Sequence, residues 1–344
     1  HTWSLCGCYF EGNTGSMRVG RSRSITLAGC QLTSNREANI EQGQSFVGSF
    51  VASNCVFTDN EAGIGAAYAC SSVEEARFSH CTFTNNRGVY GGAIWAEYSR
   101  CFVTDCVFTQ NSATSGFWES GGAIEVVLGT ALISGCDFIE NAAPFGSGGA
   151  IACNNPNTLY FNDLPLRIED CNFVGNTAAF YGGAIYFHGA NLAGIEVAGC
   201  RFEGNGALAG TAVTALDVNF DITVSGCAVS SEGPASTFRV IDGTGAYAGM
   251  VVGTSTLCAG APVPFDGATD GGTNCIAASC DDLDGNGRPD ECDLTLDVPG
   301  QFPTIQAAID AVPTGARRIV RVAAGLYNES FSLNGKNVVV RGAP

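Results

Sequence analysis

The chain has 344 residues, of which only 14% are charged and 46 are glycine, and its net charge is −17. This acidic composition argues against binding to nucleic acid or to an anionic membrane surface, because both require clustered lysine and arginine. No stretch approaches the roughly 20 apolar residues of a membrane-spanning helix, and abundant glycine with few charges favours short strands and tight turns over helices.

A six-residue pattern, Cys-x-Phe-x-x-Asn, recurs over about two thirds of the chain. Complete copies begin at Cys8, Cys55, Cys81, Cys106, Cys136, Cys171 and Cys200. Weaker copies begin at Cys30, where Leu replaces Phe, and at Cys227. Successive copies lie 22 to 35 residues apart, a period that is typical of solenoid proteins.

Each repeat predicts three short strands. The first is β-branched or apolar and ends at a Gly, Asn, Asp or His directly before the Cys, and these residue types tolerate positive φ. In the Cys-x-Phe strand, the side chains at i and i+2 share one face and point inward. A turn at the Asn and a Gly-Gly bend, such as Gly91-Gly92, lead to the third strand. The repeat therefore predicts an all-β parallel β-helix of about nine coils over residues 1–257.

Stacking of the coils would place equivalent side chains on top of one another in the core. Stacked Asn side chains can form hydrogen bonds along the axis, and stacked aromatic rings need no polar partner. The predicted core ladder consists of Cys55, Phe57, Asn60, Cys81, Phe83, Asn86, Cys106, Phe108, Asn111, Cys136, Phe138, Asn141, Cys171, Phe173, Asn176, Cys200, Phe202 and Asn205.

The ladder cysteines are expected to be buried free thiols that act as small hydrophobic residues. In register their side chains point the same way, although Cα atoms about 4.8 Å apart lie within disulfide range. Disulfides are therefore the alternative. Cys70, Cys101 and Cys153 lie outside the ladder, and pairing among them stays open.

Residues 282–293 match the 12-residue loop of a calcium site. Such a loop supplies oxygen ligands at positions 1, 3, 5, 7, 9 and 12, with glycine at position 6 for the turn. The expected Ca²⁺ ligands are Asp282, Asp284, Asn286, the carbonyl of Arg288, Asp290 and Asp293. The alternative is a solvated acidic turn without a ligand.

Four cysteines accompany this loop and predict two disulfides. Cys258 and Cys275 precede it, whereas Cys280 and Cys292 bracket it. The simplest pairing, 258–275 and 280–292, would stabilise a linker, residues 258–297, that is too small for a core of its own. A tetrahedral zinc site built from these four residues is the alternative, although no Cys-x-x-Cys spacing occurs.

The alternation of Phe-x-x-Asn (Phe83 to Asn86) with Gly-Gly-Ala-Ile (Gly91 to Ile94) resembles the passenger repeats of chlamydial polymorphic outer-membrane proteins. The resemblance covers residues 6–230 and implies a right-handed, pectin-lyase-like β-helix that acts as a surface adhesin. The calcium loop resembles thrombospondin type 3 and dockerin loops, which also have Asp at position 12.

The C-terminal segment, residues 298–344, is expected to begin a β-helix. Residues 298–311 resemble the N-terminal cap helix of pectin-lyase-like proteins, and the first strands are expected at 318–322 and 337–340. This segment carries five basic and two acidic residues, a net +3, whereas residues 1–257 carry ten basic and 22 acidic residues, a net −12.

No catalytic residues are expected. Polysaccharide lyases and hydrolases of this fold use carboxylates beside Arg, Lys or His on one face, and no such cluster recurs at a fixed repeat position. His80, Asp105 and Asp170 are expected in turns, and His188 in a turn or at the surface. A polysaccharide lyase or hydrolase is the enzymatic alternative.

The order of the parts suggests a structural role. The chain opens within a coil and closes by starting a new β-helix, so it is either one period of a longer tandem protein or a self-assembling subunit. We expect an extracellular structural protein of a bacterial surface or matrix, in which the C-terminal segment docks on the first coil of another copy and gives calcium-stabilised filaments.

An adhesin or carbohydrate-binding surface protein is the alternative, with surface glycans or other cells as partners. The sequence signals for it are aromatic residues expected to point outward, namely Tyr90, Trp95, Phe117 and Trp118.

Overall fold

The computed structural model divides the chain into two compact units, His1–Ile276 and Ala277–Pro344. The residues that it describes are 2–15, 17–20, 24–37, 40–43, 48–114, 120–154, 166–189, 194–218, 222–230, 238–241, 250–253, 255–258, 265–266, 268–270, 275–277, 295–312 and 317–342.

The first unit consists of four parallel sheets, numbered here by the order in which one coil passes through them. Sheet 1, before the Cys, has eleven strands: Thr2–Cys6, Ser24–Ala28, Ser49–Ser53, Glu75–Ser79, Arg100–Thr104, Thr130–Ser134, Leu166–Glu169, Ile195–Ala198, Ile222–Ser225, Met250–Gly253 and Thr269–Asp270. Sheet 2, after the Cys, has eleven: Tyr9–Glu11, Gln31–Thr33, Val56–Thr58, Thr82–Thr84, Val107–Thr109, Asp137–Ile139, Asn172–Val174, Arg201–Glu203, Ala228–Ser230, Thr256–Cys258 and Cys275–Ala277.

The other two sheets follow the Asn turn. Sheet 3, directly after the Asn, has five strands: Glu61–Ile64, Arg87–Tyr90, Ser112–Ala113, Ala142–Ala143 and Thr177–Ala178. Sheet 4, after the Gly-Gly bend, has ten: Met17–Gly20, Ile40–Gly43, Tyr68–Ser71, Ile94–Glu97, Ile124–Val127, Ile151–Asn154, Ile185–His188, Val213–Leu216, Phe238–Ile241 and Phe265–Asp266.

Equivalent residues of successive coils pair in register. Phe83 is opposite Phe108, and Phe108 is opposite Phe138, in parallel strands. This register confirms the parallel β-helix predicted from the repeat. Sheets 1, 2 and 4 continue beyond residue 257, where the sequence placed the domain boundary, and sheet 2 extends to Ala277.

Left-handed backbone corners separate the strands. All nine residues before a repeat Cys have φ between 52° and 62°, including His80, Asp105 and Asp170, as the residue types predicted. A second left-handed corner, which the sequence did not reveal, lies directly before the Asn. It is formed by Gly12, Ser34, Asp59, Asn85, Gln110, Glu140, Gly175 and Gly204.

The core of the first unit is built from the ladder residues. All eighteen of them, from Cys55 to Asn205, are at most 1% exposed. Neighbouring Phe rings from Phe57 to Phe202 stack with centroids 4.5–5.1 Å apart and interplanar angles of 1–8°. Such flat stacking follows from the register, since each ring lies directly above its equivalent in the previous coil.

The second unit contains a three-stranded parallel sheet, Thr295–Val298, Arg317–Val322 and Asn337–Gly342, and one helix, Ile305–Ala311. The Thr304 side chain caps the helix by accepting from the Ala307 amide at 3.1 Å. These elements fall in the segment expected to begin a β-helix; its role as a cap stays a prediction. No helix in the described part of the chain has the length and apolar character that crossing a membrane requires.

Candidate binding sites

The predicted calcium loop, residues 282–293, lies outside the described residues, as do Cys280 and Cys292. Cys258 and Cys275 belong to described strands that are neighbours in sheet 2. The Ca²⁺ site and both disulfides therefore stay predictions. Among the residues that the structure describes, no group of three or more His, Cys, Asp or Glu is placed to hold a metal ion.

The ladder cysteines from Cys30 to Cys227 are buried free thiols. The Cys106 thiol donates to the carbonyl of Thr104 at 3.2 Å, and the Cys106 amide donates to the Cys136 sulfur at 3.4 Å. In the coil after Cys227, Ser255 takes the ladder position, since its hydroxyl accepts from the Cys227 amide at 3.2 Å. These contacts make the ladder part of the core.

The three other buried cysteines, Cys70, Cys101 and Cys153, are also free thiols, so the pairing left open by the sequence does not occur. Burial raises the pKa of Cys101 and Cys153, and it raises the pKa of Cys70 to about 11. Thiols with such values stay protonated near neutral pH and react slowly.

A pocket of about 380 Å³ opens on the outer face of sheet 1. Phe102 and Leu132 form its floor; they are paired in register on neighbouring strands, and the residues beside them, such as Val103, point into the core. Charged side chains of Arg100, Arg167 and Glu169 line it further. A volume of this size is within the range of small-ligand sites.

Arginines lie on both sides of the apolar floor. Arg77 precedes Phe102 in the same outward row, and its guanidinium carbon lies 3.9 Å from the centroid of the Phe102 ring. Arg167 follows Leu132 in that row. Three of the ten basic residues in 1–257 thus surround one apolar patch on a strongly acidic chain.

Carboxylates hold two of these arginines in place. Arg77 pairs with Glu75 at 2.8 Å, and Arg167 pairs with Glu169 at 3.4 Å and with Glu196 at 3.2 Å. A guanidinium has five N–H donors, more than these contacts use. The pocket therefore combines two apolar side chains, Phe102 with Arg77 over its ring and Leu132, with hydrogen-bond donors and one carboxylate acceptor. This combination suits a ring with an apolar face and polar edges.

No repeated motif of the sequence contains the residues of this pocket. Inward and outward side chains alternate along the strands Arg100–Thr104 and Thr130–Ser134, and this alternation places Phe102 and Leu132 on the outer face. The sequence therefore contained one signal for the pocket. Which coils bring them together depends on the register, which is fixed only once the coils are stacked.

Of the aromatic residues expected to point outward, Tyr90 and Trp95 are partly exposed, whereas Phe117 and Trp118 lie outside the described residues.

His188 is half-buried, and its ring lies 6.2 Å from that of Tyr186. On the same face of sheet 4, the Asn154 amide donates to Glu125 at 2.9 Å, and both side chains are buried. Nothing in the sequence had marked Glu125 as a buried carboxylate.

A family model described as a right-handed β-helix region matches residues 4–99 and 89–229. No curated protein and no solved structure matches the chain. The matched residues coincide with the coils that carry the Cys, Phe and Asn ladders and amount to more than half of the chain. The chain therefore belongs to the right-handed β-helix family.

Proposed function

We propose that the chain is an extracellular β-helix protein of a bacterial surface or matrix and that it binds carbohydrate in the sheet 1 pocket. The observation that carries this proposal is the outward apolar pair, Phe102 and Leu132, bordered by arginine and glutamate. The apolar face of a sugar ring would pack against this pair, while its carboxylate would pair with Arg167 and its hydroxyl groups would donate to Glu169. The resemblance to surface adhesins supports the same role.

The pocket favours binding over catalysis. Glycoside hydrolysis generally uses two carboxylic acids on either side of the scissile bond, whereas Glu169 is the one carboxylate among the described residues that line the pocket. Incubation with pectin and alginate is accordingly expected to release no new reducing ends, which hydrolysis and β-elimination would both produce. A steady growth of reducing ends would restore the enzymatic alternative.

Calorimetric titration of the full chain with uronate oligosaccharides and with uncharged glucan oligosaccharides tests the site. We expect the uronates to bind more tightly, and Phe102→Ala and Arg167→Gln each to weaken binding by about tenfold, or about 1.4 kcal/mol. The control is Arg201→Gln, because Arg201 pairs with Glu203 at 2.6 Å on sheet 2, away from the pocket.

Three results of this titration bear on the proposal. Loss of binding in the two pocket variants with full binding by Arg201→Gln would support it. Equal binding by the native chain and all three variants would mean that the saccharide binds to another surface. No heat with any saccharide at millimolar concentration would overturn the proposal.

Head-to-tail assembly is the second candidate function. In the first coil, Trp3 and Tyr9 are each 58% exposed, and Leu5 and Phe10 pack against the core without being fully buried. We propose that the second unit of another copy covers this coil and that Ca²⁺ in the linker 258–297 stabilises the resulting filament. Electron microscopy with calcium should then reveal filaments, and discrete particles of one chain would contradict the idea.

A further inference from the structure

A third left-handed corner lies where the chain leaves sheet 4 and enters sheet 1. The amide of each described corner residue donates to a carbonyl of the next coil at 2.9–3.0 Å, as Tyr98 does to Val127. The ladder of backbone hydrogen bonds therefore fixes this corner, whichever residue occupies it. The described residues of the corner, with φ between 46° and 61°, are Ser72, Tyr98, Leu128, Gly189 and Asp217.

Two of these five corners carry large side chains that the backbone conformation disfavours. Glycine and aspartate adopt positive φ readily. In Tyr98 and Leu128 the same conformation places Cβ close to the following carbonyl oxygen, so these side chains work against folding stability. Both are partly exposed and lie outside the buried core. Residues held in such disfavoured backbone conformations cluster at ligand sites.

The same two coils carry the apolar pair of the sheet 1 pocket. Phe102 follows Tyr98 by four residues, and Leu132 follows Leu128 by four residues. Arg100, which lines the pocket, lies between Tyr98 and Phe102. Four residues of chain span up to about 13 Å, a separation that suits a second ring of the same ligand.

We propose that Tyr98 and Leu128, named here the corner pair, form a second contact for the carbohydrate. The ligand is then an oligosaccharide that lies along the strand direction, across the outer face of two coils. One ring packs on Phe102 and Leu132, and a later ring packs on the corner pair. The inference rests on the proposed function, because it extends the same pocket. The corner pair would set the preferred length of the ligand.

Calorimetric titration of the full chain with galacturonate saccharides of one to four sugars tests this contact. The native chain is expected to bind the tetrasaccharide at least tenfold more tightly than the monosaccharide. Tyr98→Gly with Leu128→Gly should remove that gain and leave monosaccharide binding unchanged. Its melting temperature should stay close to that of the native chain, because glycine fits the left-handed corner.

The matched control is Ser72→Gly, which introduces glycine at the same corner of the preceding coil. It should bind each saccharide as the native chain does. A second variant, Tyr98→Asn with Leu128→Asn, keeps a residue type that tolerates positive φ. It should also lose the gain for the tetrasaccharide, which separates removal of the side chains from the added flexibility of glycine.

The outcomes separate this inference from the proposed function. Equal loss of monosaccharide and tetrasaccharide binding in the corner variants would mean that the pair only supports the pocket, and would overturn the second contact. A native affinity that does not grow with length would overturn the second contact and leave the carbohydrate pocket in place. No binding of any saccharide would overturn both.

Discussion

The side chain of Asn111 makes four hydrogen bonds, which join three coils. Its side-chain oxygen accepts from the amide and the side chain of Asn86 at 3.0 and 2.9 Å. Its side-chain nitrogen donates to the Phe83 carbonyl at 2.9 Å and to Asn141 at 3.0 Å. Asparagine suits this place because one amide group supplies both donors and an acceptor with two lone pairs.

Asn111→Ala should lower the free energy of unfolding by about 3–5 kcal/mol, because it leaves several buried polar groups without a partner. Thr109→Ala, which changes an outward residue of the same coil, should cost less than about 1 kcal/mol. Equilibrium unfolding in urea measures both values. A small effect of Asn111→Ala would mean that water enters and replaces the lost amide.

The three buried thiols outside the ladder should be inert towards alkylation. At pH 8, iodoacetamide is expected to modify the exposed Cys6 of the native chain and to leave Cys70, Cys101 and Cys153 unmodified, since these thiols are buried and have raised pKa values. Peptide mapping by mass spectrometry reads out each site, and labelling in guanidinium is the control. Modification of native Cys101 as fast as Cys6 would contradict this burial.

At the scale of the single element, the Gly-Gly bend has two separate requirements for glycine. The first residue of the pair has positive φ in three of the four described Gly-Gly bends, with values of 57° at Gly91, 78° at Gly148 and 60° at Gly182. The second residue lies against the next coil: a Cβ on Gly122 would lie 1.9 Å from the Gly149 carbonyl oxygen. The second glycine therefore sets how closely the coils stack.

Gly122→Ala should cost about 3 kcal/mol or more, because the added methyl group would meet backbone that can yield only by separating two coils. Gly63→Ala is the matched control: Gly63 also lies just before a bend, but a Cβ there meets nothing within 4 Å. Its effect should stay within about 0.5 kcal/mol. Thermal unfolding of the two variants makes the comparison, and equal melting temperatures would rule out the close approach.

A left-handed corner can be predicted from the sequence when the same residue types recur there in every coil. It cannot be predicted when only the backbone conformation recurs. The corner before the Cys is always Gly, Asn, Asp or His, which signals positive φ. The corner before the Asn has the same conformation at Gln110 and Glu140, and these residue types carry no such signal. There the register of the stacked coils imposes the left-handed backbone on whichever residue is present.

At the scale of the whole molecule, the repeat identifies the core but conceals the surface sites. The pocket needs Phe102, Leu132 and Arg167 from three coils. None of these residues belongs to the repeated motif. In a solenoid, the repeated positions face inward. Binding surfaces therefore arise where outward positions in neighbouring coils, which are usually polar, carry apolar residues instead.

The predicted calcium loop lies in the chain between the last strand of sheet 2, Cys275–Ala277, and the first strand of the three-stranded sheet, Thr295–Val298. An ion that binds only the folded loop stabilises it by mass action, by about 2.7 kcal/mol at a concentration 100 times the Kd. Millimolar calcium should therefore raise the melting temperature of the full chain, and chelation should reverse the rise.

Asp282→Ala with Asp284→Ala should abolish that rise, because it removes the ligands at positions 1 and 3 of the loop. Glu11→Ala with Glu61→Ala removes two exposed carboxylates from the first unit and should preserve it. Differential scanning calorimetry with calcium, magnesium and chelator separates specific binding from charge screening, since screening would act equally on both variants. A rise that persists in the loop variant would place the calcium elsewhere and leave residues 282–293 as a solvated acidic turn.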